Sequence, residues 1–403
     1  MQLLQGAIQN YAWGSTDSIP ALLGVEPTGE PQAELWLGAH ALAPSVLPGA
    51  DTDLRALVAE RPEVLGEKSR EAFGDVLPFL LKILSAAEPL SLQTHPNREQ
   101  AEAGFAAENE AGVPLTAPTR TYKDPWPKPE MALALTDFTT LSGFRPAAET
   151  AALFSRLGVS DPEIESVIGP LTQRGGTAAI AEVFLDCLSL SEERRPIVDQ
   201  VVAACLPYKD EDSELGRFAR TAVELDAHYP GDRSILAALL LNRLELKPGE
   251  AAYLEPGNMH AHLHGTCIEI MANSDNVLRG GLTVKHIDVD GLVQTVDFHG
   301  EEKALVEPVS PEPGLTHFPT GAPEFALWRI ELGRGAERTE PLLLPATEGA
   351  RILLVLDGYL ACATSDGTLE VVKGQSAFIP AGVVVRVHGD AEAYLAAAGV
   401  YAS

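Results

Sequence analysis

Short apolar runs broken by glycine and proline fill the first 145 residues. AELWLGAH (33–40), PFLLKILSA (78–86) and PEMALAL (129–135) are the clearest, and each predicts a strand. REQAEAGFAAENEAG (98–112) has helical spacing instead. The pattern changes over 146–240. PAAETAALFSRLG, GTAAIAEVFLDCLSL and SILAALLLNRLEL carry Ala and Leu at helical spacing, and Ser191 followed by Glu193 and Arg194 predicts a helix start. Strand signals return from 244 in LELKPGEAAYLEPG, TCIEIMA and LVQTVDF. The Pro/Gly-rich stretch 307–323 reads as a link to a last set of short strands, FALWRIEL, ARILLVLDG, YLACAT, LEVVKG and SAFIPAG.

A repeat organises the β segments. GEAAYLEPGNMH (249–260) aligns with GQSAFIPAGVVV (374–385) at constant offset, pairing Gly249 with Gly374, Tyr253 with Phe378 and Gly257 with Gly382. The glycines mark turns and the residues between them alternate as in a strand. The expected fold is therefore mainly β with an α insertion: two related β-barrels plus a helical domain. The first barrel would be built from 1–145 and 241–310, with the helical insertion at 146–240 and the second barrel at 311–403. His260 falls where the second copy has Val385. The second barrel is expected to lack metal ligands.

The net charge of −28 argues against nucleic acid or an anionic membrane as partner, since both need a basic surface. An anionic substrate would need locally gathered positive charge. No run of 18 apolar residues occurs, and MQLLQGAIQNYAWG lacks the basic start and apolar stretch of a signal peptide. Cys187, Cys205, Cys267 and Cys362 are scattered without C-x-x-C and are expected as reduced thiols. A cytoplasmic monomer acting on a small molecule is the expectation.

LSLQTHPN (90–97) raises the chemical question. If the run is a strand, Gln93 and His95 share a face flanked by leucines. With Glu130 and a histidine of HAHLHG (260–265) they make a set of two nitrogens and two oxygens, which suits Zn²⁺ better than a soft metal. Strand spacing puts His260, His262 and His264 on one face and does not say which one binds. Basic residues are scarce, yet Lys82, Lys123, Lys128, Arg279 and Lys285 fall in or beside these segments. Lys82 lies within an apolar run and needs an anion, which a phosphate could supply. No GxxxxGK[ST] occurs, so a nucleotide P-loop is excluded.

YAWGS (11–15), AELWLGAH (33–40), PFLLKILSAAEPLSLQTHPN (78–97), YKDPWPKPE (122–130) and HAHLHGTCIEIMANSDNVLRGGLTVK (260–285) together resemble the type I mannose-6-phosphate isomerases. These are zinc enzymes on a cupin scaffold with a helical insertion. The resemblance implies reversible isomerisation of mannose 6-phosphate and fructose 6-phosphate through an enediol, on two cupin-like jelly rolls. It implies one zinc held by Gln93, His95, Glu130 and His260, with Arg279 as active-site arginine. Ser91, Lys82 and Lys285 match positions that hold the substrate phosphate. Lys128, Glu269 and Asp275 match acid–base or orienting residues, and Trp13 and Glu34 the pocket entrance. Two positions depart from the family: Pro127 stands before Lys128 where a histidine is common, and His262 stands where a tyrosine is common. The catalytic base is left among Lys128, Glu269 and His262. A non-catalytic sugar-phosphate-binding cupin is the alternative reading, separated from the first by turnover. An iron cupin oxygenase is a third, against which the glutamine ligand and the lysines count.

Overall fold

The computed structural model describes residues 1–159, 161–301, 305–333 and 340–402. Among the described residues the strands form two sheets, one of ten strands and one of nine. The ten-stranded sheet is organised by one long strand, His260–Ala272. From Gly265 onward this strand pairs with Phe79–Ala86, and over 267–271 also with Glu130–Ala134. Its first residues pair instead with Leu92–Thr94 and Phe138–Phe144. The switch of partners occurs where the register shifts between His262 and His264, next to Gly265 at φ 112°. A Cβ at Gly265 would sit 2.4 Å from the Asp137 carbonyl oxygen, so only glycine allows this approach.

The helices from Ala147–Arg156 to Ser234–Ala238 cover the side of the sheet that holds the first residues of the long strand. Phe144 meets Phe184 edge to face at 5.4 Å, and Phe154 meets Phe218 at 5.1 Å. These rings share one buried cluster with Leu92, Leu141, Met259, Ala261 and Leu278, neighbours of the predicted site residues. Burying such apolar area supplies the main driving force, at about 25 cal/mol per Å².

The nine-stranded sheet is built on Arg351–Thr364 and Arg386–Ala397. The repeat identified in the sequence lands on matching strands, Ala251–Leu254 and Ser376–Ile379. Gly249 and Gly374 (φ 91° and 80°) and Gly257 and Gly382 (φ 87° and 80°) all take the left-handed conformation. Val385, opposite His260 in the alignment, is buried. The strand Gln2–Leu4 pairs with Ser376–Ile379, so the first residues of the chain join this sheet and not the one formed by the rest of 1–145.

Four local expectations are corrected. LVQTVDF is not a strand: Val289–Thr295 is a helix, capped by the Asp288 carboxylate on the Gly291 N–H, with Gly291, Leu292 and Thr295 buried at helical spacing. SILAALLLNRLEL splits into the helix Ser234–Ala238 and the strand Leu241–Leu246, because every residue from 234 to 241 is buried and the run has no periodicity to read. Ser191 opens a turn, its carbonyl taking the Arg194 and Arg195 N–H groups, and the helix starts at Pro196. The stretch 307–323 is not merely a link: Val309–Glu312 and Leu315–Phe318 pair across Gly314 (φ 84°) and extend the nine-stranded sheet. All four cysteines are buried and free, as expected of reduced thiols.

Candidate active site

Strand register brings distant residues together. Gln93 lies opposite His260 on one side and Arg279 on the other. His95 follows the strand Leu92–Thr94, Glu130 opens the strand Glu130–Ala134, and His260 opens the long strand. His95, Glu130 and His260 each offer a ligand atom within 4.8 Å of the others, and all three are buried. His95 Nε2 is 3.3 Å and His260 Nε2 3.2 Å from Glu130 Oε2.

The protons on these rings follow from their other nitrogens. His95 Nδ1 is 2.7 Å from the Asn276 carbonyl oxygen, and His260 Nδ1 3.1 Å from that of Asn258. A carbonyl only accepts, so each Nδ1 carries the proton and each Nε2 presents a lone pair. Both Nε2 atoms are buried without a hydrogen-bond partner. Burial, and then the Lys128 ammonium, push His95 down to about 4, so it is neutral at physiological pH. Burial pushes Glu130 up, but the Lys128 ammonium outweighs it and holds its carboxyl well below the usual range. Three lone-pair donors converge on one point with no proton to share, which is the environment a divalent cation satisfies.

Beside this group opens a cavity of about 520 Å³. Trp13, Glu34, Lys82, Ser91, Gln93, Lys128, Glu130, His262, Glu269, Asp275, Arg279 and Lys285 all line it. Every site residue predicted from the sequence is thus in this wall or, for His95 and His260, in the buried metal-type group behind Glu130. Lys123 does not line it: its ammonium donates to the Leu115 carbonyl.

One wall is an ion-paired network. Lys82, on the strand Phe79–Ala86, donates to Glu269 Oε2 at 2.8 Å and lies 3.5 Å from Glu34 Oε1. Glu34 also takes the Trp36 indole N–H at 2.7 Å. Burial alone would lower the Lys82 pKa, but Glu269 and Glu34 lift it above the ordinary lysine value. Burial raises Glu269, yet Lys82 and then His262 bring it down to about 2. The anion that Lys82 needs therefore comes from the chain itself, and no phosphate is required to balance it. Lys128 is likewise paired, 3.1 Å from Glu130 Oε1.

The cavity lining also carries unpaired cations. Arg279 and Lys285 have no ion-pair partner among the described residues. Burial lowers the pKa of both, and the Arg279 charge lowers that of Lys285 further. Ser91 also lines the cavity.

His262 and His264 part company. The register shift turns His264 to the surface, while His262 stays buried with Nδ1 3.0 Å from Thr140 Oγ1 and Nε2 3.4 Å from Glu269 Oε1. The expectation of three histidines on one face fails at this bulge. Sequence reasoning missed Tyr11, stacked on Trp13 at 5.7 Å, and Tyr229, which reaches the cavity from the helical block and donates to the Pro89 carbonyl. No local signal marks Tyr229, because only the packing of the helices brings it there. His40, beside Asp275, was within reach: a buried histidine in AELWLGAH invites a search for its partner.

Residues 1–147 match the family described as phosphomannose isomerase type I, catalytic domain. The chain is 36% identical to the mannose-6-phosphate isomerase of Escherichia coli (strain K12), over 96% of this chain and 98% of that one. It is 33% identical to the Homo sapiens mannose-6-phosphate isomerase, over 90% and 88%. The crystal structure of a mannose 6-phosphate isomerase bound with zinc and yttrium superposes with a TM-score of 0.87 at 33% identity, covering 99% of both chains. A single-site mutant of phosphomannose isomerase from Salmonella typhimurium gives 0.89 at 32% identity, again over 99% of both. Agreement of sequence and fold along nearly the full length leaves one conclusion, that this chain belongs to the type I mannose-6-phosphate isomerase family.

Proposed function

We propose that the cavity interconverts mannose 6-phosphate and fructose 6-phosphate beside a zinc ion held by Gln93, His95, Glu130 and His260. The observation that carries this reading is the placement of a buried His95–Glu130–His260 group beside a cavity that also holds Arg279 and Lys285, neither with an ion-pair partner among the described residues. Bound there, zinc supplies a Lewis acid for the sugar oxygens next to the reacting carbons.

The remaining chemistry belongs to the side chains. Lys285 and Ser91 receive the phosphate and anchor the sugar, so remote binding energy orients the reacting end. Arg279, adjacent to Gln93 in the sheet, faces the negative charge that develops on the enediol. His262 carries the proton from carbon 2 to carbon 1. Three observations support it over Lys128 and Glu269. Lys128 is tied to Glu130, and Glu269 near 2 is a weak base at neutral pH. The Thr140 hydroxyl can donate to the Ala261 carbonyl at 3.1 Å or to His262 Nδ1, so the imidazole can hold its proton on either nitrogen. Lys82 keeps Glu269 ionised and pairs with Glu34, and Lys128 and Asp275 orient sugar hydroxyls. Trp13 packs at the entrance.

The architecture is read as two cupin-like jelly rolls, 1–145 with 241–310 and then 311–403, with 146–240 as the helical insertion and the strands Gln2–Leu4 and Val309–Glu312 joined to the sheet of the second roll. The glycine-matched repeat supports the kinship of the two. A coupled assay for fructose 6-phosphate, run with zinc content on the same sample, is the test. Turnover that disappears on chelation and returns with zinc is expected. Zinc-loaded protein that binds mannose 6-phosphate without turnover would leave only the sugar-phosphate-binding alternative.

A further inference from the structure

Asp275 lies between two cavities. It lines the catalytic one and also a second, of about 430 Å³, on whose wall His40 sits. Its backbone is fixed, since its N–H donates to Asp124 Oδ2 at 2.9 Å. Its side chain has one polar contact among the described residues, Oδ1 to His40 Nε2 at 3.2 Å. The other oxygen has none, and the side chain is 39% exposed.

His40 is itself immobilised. Its ring packs edge-on against Trp36 at 4.6 Å, and the Leu42 N–H reaches its Nδ1 at 3.2 Å. A backbone N–H only donates, so Nδ1 must accept and Nε2 must carry the proton. His40 is buried, and the loop that presents it is closed by two bonds between Gly38 and Ser45. A rigid donor therefore meets a carboxylate whose backbone is fixed and whose side chain has nothing else to hold it.

We propose that His40 is a positioning residue for the isomerisation: its Nε2–H holds one oxygen of Asp275 so that the other faces the catalytic cavity and takes a sugar hydroxyl. Without that bond the carboxylate can turn into the second cavity and be solvated there. The inference rests on the reading of Asp275 as a sugar-orienting group. The charged and titratable groups facing Asp275 are His40, Lys128, Lys82, Tyr11, Lys123 and Asp124. Burial raises the Asp275 pKa, and His40 is the largest influence bringing it below the usual carboxylate value. Loss of His40 therefore moves the protonation of Asp275 to higher pH.

The test uses zinc-loaded full-length protein with His40→Asn, His40→Gln and Asp275→Asn, measuring zinc content, kcat/KM for mannose 6-phosphate and its pH profile. Glutamine can place an amide N–H near the position of Nε2, whereas asparagine is too short to reach Asp275. His40→Asn is expected to keep its zinc, lose roughly 10- to 100-fold in kcat/KM, and shift its acid limb to higher pH. His40→Gln should recover most of the activity and the original limb. Equal activity of His40→Asn and the parent protein would overturn the role of His40, as would a loss matched by zinc loss or left unrepaired by glutamine. If Asp275→Asn keeps full activity, the reading of Asp275 fails separately.

Discussion

Replacing Lys82 by Met tests the wall of the cavity most directly. The substitution keeps much of the chain's volume and removes the charge between Glu34 and Glu269. Two carboxylates are then buried without a cation. Breaking such a pair by removing one partner costs about 3–5 kcal/mol. Titration gives a similar figure independently. A Glu269 carboxyl at 4.5 when unfolded and about 2 when folded contributes about 3 kcal/mol at neutral pH. The sign follows from proton binding. Between these values the unfolded chain holds the proton and the folded chain does not, so the contribution is complete above about pH 4.5 and lost as the pH falls through about 2. The stability gap between parent and variant should thus be full at pH 7 and shrink to about half by pH 3. Burying His95 neutral also makes stability pH-dependent, but it is common to both proteins and largely cancels in the difference. The assay is urea unfolding of chelator-treated protein at several pH values, which keeps metal release out of the comparison. A Lys82→Met variant as stable as the parent at pH 7, or a gap that stays constant down to pH 3, would refute the network argument.

Further outcomes follow from the same geometry. His260→Ala should lower zinc affinity by at least about 100-fold, since ligand loss exceeds the effect of losing an outer-shell partner; chelator competition measures it. Arg279→Met should retain zinc and lose roughly 10²–10³ in kcat, so full turnover with metal bound would remove Arg279 from the mechanism. Gly265→Ala forces a side chain into φ 112° against the Asp137 carbonyl and should cost about 1–3 kcal/mol, read as a lowered unfolding temperature. His262→Gln should abolish exchange of the substrate C2 proton with solvent deuterium while Lys128→Met leaves exchange measurable; the reverse result would transfer the proton-carrying role to Lys128.

Much of the site could be read before any coordinates. Gln93 and His95 stand out because a polar pair following Leu90 and Leu92 is costly to bury without a ligand or partner, and Lys82 because an ammonium in PFLLKIL needs an anion. The repeat at 249 and 374 was legible because left-handed turns restrict the residue to glycine wherever they recur. These are local rules, and the chain obeys them locally. What composition and spacing could not settle is which atoms meet. Lys82 needed an anion, but only folding decided that Glu269 and Glu34 supply it. Three histidines alternate in HAHLHG, but a bulge, which sequence periodicity does not encode, sends His264 outward. His40 and Asp275 are 235 positions apart, and Gln2–Leu4 pairs near the opposite terminus of the chain. Local propensity acts over a few residues, whereas partner choice depends on which surfaces become adjacent once apolar area is buried. That second step is set by the whole chain at once, so it is visible only in the tertiary structure.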